Sequence, residues 1–160
     1  MADMRDNAKH VPIVVLAELT RELLAQGNEV CLTVSGGSMA PFLVHQRDSV
    51  LVSKPNGSFR QGDIVFYQRS NGAYIMHRIV GIDKNGDLSL CGDAQTYIET
   101  SISPKQVFGI VRTAYRKGKK IDTSSFIWWL FRVPWRLCLP ARHKILCLYY
   151  KITKKNGRKK

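Results

Sequence analysis

The chain has 160 residues, of which 44% are hydrophobic and 23% are charged, and its formal net charge is +13. This size and composition fit one ordinary globular domain and exclude a largely disordered chain. Residues 112–160 hold 15 Lys and Arg against one acid, whereas residues 1–111 hold 10 basic and 11 acidic residues. A nearly neutral body therefore carries a strongly basic C-terminal segment, which favours an anionic partner such as lipid headgroups or nucleic-acid phosphates.

The four cysteines form no Cys-x-x-Cys pair, so the sequence predicts no zinc site, and no other metal or cofactor is expected. Small buried hydrophobic side chains are the usual role for such cysteines, and a disulfide between two of them stays open. The apolar run of residues 11–16 is short and is followed by charged residues. We therefore expect neither a cleaved export signal nor a membrane-spanning helix at the N-terminus.

Residues 12–26 place apolar side chains near helical spacing, and Gly27-Asn28 follows them as a good helix C-cap. The sequence predicts that residues 1–28 form an N-terminal unit with one short amphipathic helix. We expect this helix to pack on the rest of the domain.

The pattern changes after Glu29 to short runs rich in Val, Ile, Tyr and Phe, separated by turn signals. Asn71-Gly72 and Asn85-Gly86 each favour a hairpin, and no alternation of strands and helices appears. We therefore expect residues 29–115 to form a compact, mainly antiparallel β domain. The predicted strands are residues 29–34, 48–53, 63–69, 73–82, 87–91 and 106–115.

Residues 116–160 are interpreted as a basic tail that begins with a linker at 116–121. Between residues 126 and 152, Trp and Tyr are mixed with Arg and Lys, which is typical of a helix in the headgroup plane of a membrane. An alternative is that Trp128, Trp129 and Trp135 form the core of a small helical hairpin that covers the sheet. Nucleic-acid binding by the tail is the less favoured alternative, because its aromatic residues lie within apolar runs.

A serine on a glycine-rich turn is followed 39 residues later by a histidine at a strand-like run: Ser38 in Ser35-Gly36-Gly37-Ser38-Met39-Ala40-Pro41, and His77 in Met76-His77-Arg78-Ile79. A serine hydroxyl is a weak nucleophile near neutral pH and needs a base within hydrogen-bonding reach. Neutral imidazole is the commonest such base. The pair is therefore a candidate for nucleophilic catalysis, provided that the fold brings the two side chains together.

Six short motifs in order, between Val34 and Gly109, resemble the serine signal peptidase superfamily, which also contains the self-cleaving SOS repressors. They are Gly36-x-Ser38-Met39-x-Pro41, the run from Arg47 to Val52, the run from Arg60 to Phe66, the run from His77 to Gly81, Cys91-Gly92-Asp93, and Val107-Phe108-Gly109. The His-Arg-Ile context is similar to the histidine-base members found in the endoplasmic reticulum, in archaea and in sporulation.

The resemblance implies that Ser38 is the nucleophile, that His77 is the general base and that Asp93 orients His77 or supports the site. Gly36, Gly37 and Met39 would form the oxyanion and substrate-binding turn. Histidine-type members usually carry a serine two residues before the nucleophile, where this chain has Gly36. The oxyanion would then rest on backbone N–H groups. An aspartate common after the Gly-Asp motif is missing, and Glu99 is the nearest acid, so the third member stays open.

The resemblance therefore implies a serine endopeptidase that cleaves a signal or leader peptide. Its partners would be a peptide or precursor-protein substrate and an anionic membrane surface bound through residues 126–152, with no nucleic acid expected. The protein would be a peripheral membrane protein, or otherwise cytoplasmic. The alternatives are a catalytically inactive peptide-binding module of the same fold and, third, a basic nucleic-acid-binding protein.

Overall fold

A computed structural model describes residues 12–157 of the chain. Its first element is helix α1, Ile13–Ala25, which confirms the predicted helix; residues 1–11 of the predicted N-terminal unit lie outside the described residues. The helix ends at Ala25, Gln26 is its C-cap, and Gly27 follows with φ of 87°. Glycine adopts this left-handed conformation without the steric cost that a side chain adds, so the chain can leave the helix here.

Within residues 12–157, eight strands form one antiparallel sheet in the order β1-β2-β7-β3-β4-β5-β6, and β8 pairs with β7. The strands are β1 Val30–Thr33, β2 Ser49–Ser53, β3 Ile64–Gln68, β4 Tyr74–Ile82, β5 Leu88–Cys91, β6 Glu99–Ile102, β7 Val107–Arg116 and β8 Lys119–Asp122. All six predicted strands are confirmed, as is the mainly β class. The sequence missed β6 and β8 because both are short and polar, so neither shows the hydrophobic pattern of a half-buried strand.

The hydrophobic core joins the sheet to helices from both ends of the chain. Its larger cluster includes Leu24 of α1, Phe42 from the loop after β1, and Trp128 and Phe131 from α2 (Phe126–Arg132). Trp128 is 2% exposed, and its ring meets that of Phe42 edge-on at 5.3 Å between centroids. Burying large aromatic side chains is a major stabilising contribution in a domain of this size.

The C-terminal segment packs on the domain from its first residues. The interpretation of residues 116–121 as a linker is wrong, because β7 turns at Lys117-Gly118 into β8 and the two strands pair from Thr113↔Asp122 to Arg116↔Lys119. After α2 come a short helix α3, Pro134–Leu137, and helix α4, Arg142–Gly157. Among the described residues, no helix combines the length and apolar character that a membrane span requires.

The interpretation of the three tryptophans as lipid contacts is wrong for Trp128, which lies in the core. Trp135 is half-buried, and its indole Nε1 donates a hydrogen bond to the backbone oxygen of Asp93 at 2.9 Å. Trp129 is 48% exposed. The alternative, in which the C-terminal segment covers the sheet, therefore holds for one face of this segment. The opposite face of the segment is exposed to solvent.

Candidate active site

The turn that carries Ser38 lies between β1 and β2. Gly36 has φ of 88°, a conformation that a side chain would strain, and its N–H donates to His45 Nδ1 at 3.0 Å. Its amide is therefore occupied and does not serve as an oxyanion donor, whereas a part of Gly36 in substrate binding stays a prediction. The side chain of Met39 is 1% exposed and fixes the turn to the core.

The backbone N–H groups of Gly37, Ser38 and Met39 donate no hydrogen bond to any residue that the structure describes. Most backbone donors in a folded protein are paired, so three consecutive free donors are unusual. Ser38 is half-buried, and it lines a cavity of about 330 Å³. This turn can therefore offer N–H groups to a negative charge that develops beside the Ser38 hydroxyl.

His77 lies in β4, opposite Val65 of β3, and it is only 2% exposed. It lines the same cavity as Ser38. Its Nδ1 is 3.2 Å from Glu99 Oε1 and 3.2 Å from the Tyr67 hydroxyl. Its Nε2 makes no hydrogen bond within residues 12–157, and neither does the Ser38 hydroxyl. The fold thus brings the predicted serine and histidine to one cavity, and a carboxylate occupies the far side of the imidazole.

Burial lowers the pKa of His77 below its usual value of 6.5, and the charges of Glu99 and Asp93 oppose this effect without overcoming it. At neutral pH the imidazole is therefore uncharged. The Glu99 carboxylate can only accept, and the Tyr67 hydroxyl beside the same nitrogen also hydrogen-bonds to that carboxylate. Both contacts favour the tautomer with the proton on Nδ1, which leaves the Nε2 lone pair free. That is the state in which a histidine can accept a proton from a serine hydroxyl.

Glu99 is itself fixed by a cation. Burial acts to raise the pKa of Glu99, but hydrogen bonds from Arg69 and Tyr67 and the charge of Arg69 outweigh burial and lower this pKa below its usual range. Arg69 forms a two-point contact with the carboxylate, with Nε 2.7 Å from Oε2. A charged carboxylate held in one orientation can both align the imidazole and stabilise it when it becomes protonated.

Asp93 does not contact His77. Its two carboxylate oxygens accept from Arg78 Nε at 2.9 Å and from Arg78 Nη2 at 2.7 Å, and both residues are about 1% exposed. Glu99, and not Asp93, is therefore the acid in contact with the histidine. The geometry corrects the part of the sequence expectation in which Asp93 orients His77, and it leaves Asp93 a supporting position beside the site.

The Cys91-Gly92-Asp93 motif and the residue after it, Ala94, lie against the turn that carries Ser38. The N–H of Ala94 donates to the backbone oxygen of Ser38 at 2.8 Å. A Cβ on Gly92 would lie 2.6 Å from the same oxygen, which explains why a glycine is needed there. The loop after β5 and the serine turn are thus in direct backbone contact.

Tyr67 and Arg69 are site residues that the sequence analysis missed. The Asn71-Gly72 turn signal contained the information, since the hairpin register pairs Tyr67 with Ile75 and Val65 with His77. Side chains at alternate positions of a strand share a face, so Val65 and Tyr67 share the face of His77. In the part of the chain that the structure describes, no group of three or more His, Cys, Asp or Glu side chains could hold a metal ion.

Comparison with protein families agrees with this architecture. The family model described as Peptidase S24-like matches residues 8–112, which is about two thirds of the chain. A comparison with curated proteins found no match. The match includes Ser38, His77, Asp93 and Glu99, and the six motifs had indicated the same superfamily of serine peptidases. The eight-stranded sheet with its N-terminal helix fits a domain of this type, and the chain belongs to the Peptidase S24-like family.

Proposed function

We propose that the protein is a serine endopeptidase that cleaves a signal or leader peptide, with Ser38 as nucleophile and His77 as base. The observation that carries the proposal is the shared cavity of Ser38 and His77, with Glu99 on the opposite side of the imidazole. A peptidase-type fold follows from the family match. The Ser-His chemistry and the choice of substrate are what we add to it.

The proposed reaction begins when Ser38 Oγ attacks the scissile carbonyl carbon and its proton moves to His77 Nε2. The carbonyl π electrons move to oxygen, and the N–H groups of Ser38 and Met39 stabilise this oxyanion. The imidazolium then gives its proton to the departing amine as the C–N bond breaks, which leaves an acyl-enzyme. Water, deprotonated by the same nitrogen, releases the acid and regenerates the serine. Glu99 stabilises the imidazolium in both halves.

The Ser38 hydroxyl and the imidazole make no hydrogen bond in the free protein. Such contacts are often long in free enzymes and tighten when substrate binds. The cavity that Ser38 and His77 line is open to solvent. A bound peptide would exclude water from it and bring the Ser38 hydroxyl within hydrogen-bonding reach of the imidazole. We therefore expect substrate binding to complete the pair.

The edge of β4 beside His77 supports binding of the substrate as an added strand. β3 pairs with β4 from Tyr74 to Arg78, whereas β5 pairs with β4 only from Arg78 onward. Among residues 12–157, residues 74–77 thus pair with a strand on one side only, and they line the cavity together with Val34 and Ser35. An extended peptide that pairs with this free edge would bring its scissile carbonyl to Ser38.

The cavity walls beside this edge are apolar. A second cavity of about 80 Å³ lies next to the first and shares Val34, Tyr74 and Met76 with it, and Leu32 and Phe108 close its far side. Its volume suits a small apolar side chain. The proposed substrate therefore carries small or apolar residues before the cut.

A serine-directed fluorophosphonate tests the nucleophile directly. We expect a covalent adduct on the peptide that contains Ser38, because the reagent forms a bond to an activated serine oxygen with loss of fluoride. Ser38→Ala should remove the adduct, and Ser35→Ala, three residues away on the same turn, should keep it. Mass spectrometry locates the adduct. Labelling of Ser35, or equal labelling of His77→Ala, would contradict the assignment.

The inactive peptide-binding module is the second candidate, favoured by the absence of a hydrogen bond between Ser38 Oγ and His77. It differs in one measurable way. An inactive module would bind a leader-type peptide with unchanged affinity in wild type and in Ser38→Ala, with no fluorophosphonate adduct and no cleavage product in either protein. Adduct formation on Ser38 would exclude it.

We also propose that the outer face of residues 126–152 binds an anionic membrane surface. Phe126 is 74% exposed, Leu137 is 70% exposed and Leu148 is 60% exposed. Basic side chains, including Lys144 and Lys151, are exposed in the same segment. Apolar side chains that enter the headgroup region, combined with cations that attract anionic lipid, give peripheral binding.

Vesicle flotation tests this proposal. We expect the protein to float with vesicles of phosphatidylcholine and phosphatidylglycerol and not with phosphatidylcholine alone. The double variant Trp129→Ser/Leu137→Ser should lower the bound fraction about tenfold, because two apolar side chains are then no longer transferred from water into the membrane. The matched control Val14→Ser/Val15→Ser replaces exposed apolar residues of α1, outside residues 126–152, and should leave the bound fraction at the wild-type level. Salt-sensitive retention on DNA without flotation would favour the nucleic-acid alternative instead.

A further inference from the structure

We infer that Arg142, at the start of α4, is a positioning residue for the Ser38 turn. It acts through the loop of residues 92–95. The kinetic part of this inference rests on the proposed peptidase function, and the structural part does not. Arg142 lies outside residues 8–112, the part of the chain that the family model matches.

Arg142 is buried and its guanidinium is directed at backbone oxygens. The side chain is 1% exposed. Its Nη1 donates to the oxygens of Gly92 at 3.0 Å and Gln95 at 2.6 Å, and its Nη2 donates to the oxygen of Trp135 at 3.2 Å. The guanidinium also lies 5.4 Å from the centre of the Trp135 ring. Its Nε has no hydrogen-bond partner among the described residues, so the two Nη atoms make the polar contacts of the buried cation. A buried cation is costly without such partners, so these contacts indicate a fixed structural role.

The C-terminal segment holds three carbonyl groups of one short loop. Arg142 binds those of Gly92 and Gln95, and the Trp135 indole binds that of Asp93. On its other side the loop is anchored by the Asp93–Arg78 ion pair. The loop is therefore clamped between the sheet and helices that follow the family-matched region.

The clamped loop in turn supports the nucleophile. The N–H of Ala94 donates to the backbone carbonyl oxygen of Ser38 at 2.8 Å, and Gly92 lies close to the same backbone oxygen. A shift of this loop would move the Ser38 peptide group and, with it, the free N–H groups of the turn. Misplacement of catalytic groups by about 1 Å costs on the order of 100-fold in rate. The substrate would pair with the edge of β4, and of this loop only Gln95 lines the cavity, so we expect KM to change less than kcat.

The test compares Arg142→Met, which keeps the volume but loses the donors, with Arg142→Lys and with Lys119→Met, an exposed lysine of β8. Two quantities are measured: kcat per active site titrated with the fluorophosphonate, and amide hydrogen exchange of Ala94 by NMR. We expect Arg142→Met to lower kcat about 100-fold with KM changed less than threefold, and to abolish the protection of Ala94. The amide of Ile110 in β7 should stay protected.

Arg142→Lys should recover part of kcat and of Ala94 protection, because an ammonium group can reach some of these carbonyls. Lys119→Met should match wild type in both. If Arg142→Met does not fold, Trp135→Phe removes the donor to Asp93 and part of the ring beside the Arg142 guanidinium, and it should show the same changes more weakly. Wild-type kcat with wild-type Ala94 protection in the folded variant would overturn the inference. If wild type has no turnover, the peptidase proposal fails, and Ala94 exchange still decides the positioning role.

Discussion

Replacement of Ser38 by Ala is expected to lower kcat/KM for a leader-type peptide by about 10⁴-fold or more, and His77→Ala should do the same. Ser38→Ala removes the oxygen that forms the acyl bond. His77→Ala removes the acceptor for its proton and the donor for the leaving amine. The measurement is the initial rate of peptide cleavage by purified protein, with product identified by mass.

The double variant Ser38→Ala/His77→Ala should be no slower than either single variant, since the two groups act as a unit. His45→Ala serves as a control for the turn, because His45 accepts from Gly36 but does not line the cavity. We expect this variant to retain most of the activity. Full cleavage by Ser38→Ala or His77→Ala would end the catalytic assignment.

Glu99→Gln is expected to lower kcat by about 10²- to 10⁴-fold, because a neutral amide neither selects the Nδ1–H tautomer nor stabilises the imidazolium. It should also move the acid limb of the kcat/KM profile to lower pH. The pKa of His77 is already below 6.5 through burial, and the Glu99 charge opposes that shift. Removing the charge lowers the pKa of His77 further, so the neutral base persists to more acidic pH.

Asp93→Asn is the matched contrast to Glu99→Gln. It removes the charge that pairs with buried Arg78, and breaking a buried ion pair costs about 3–5 kcal/mol of stability. We therefore expect a clear fall in Tm with the acid limb of the activity profile displaced much less than in Glu99→Gln. The reverse result, in which Asp93→Asn gives the larger displacement of the pH profile, would return the orienting role to Asp93.

The basic segment provides a physical link between the two proposals. Its inner face, with Trp128, Trp135 and Arg142, packs on the core and on the loop below Ser38, whereas Phe126, Trp129 and Leu137 remain exposed. A membrane bound at the outer face would thus lie against the element that clamps the site. The burial of Trp128 also explains why composition alone misled: an apolar aromatic run suits a protein core as well as it suits a bilayer surface.

The amino-acid sequence was sufficient for the elements with a strong local signal. Strands such as β3 and β4 were predictable because Val, Ile, Tyr and Phe recur between clear turn residues, and Asn71-Gly72 fixed their hairpin. Ser38 and His77 could also be identified as candidates, because each stands in a motif whose residue types serve the chemistry. In both cases the information lies within a few neighbouring residues.

Tertiary structure decided which acid faces His77, which side of the tail is buried, and what supports the serine turn. Glu99 reaches Nδ1 because β6 pairs with β5, although β6 has no hydrophobic pattern of its own. Asp93 has an equally suitable carboxylate, but it forms an ion pair with Arg78 instead. Arg142 meets Gly92 from 50 residues away. Contacts of this kind depend on strand pairing and on competition between partners distant in the chain, and no local pattern of residues records either.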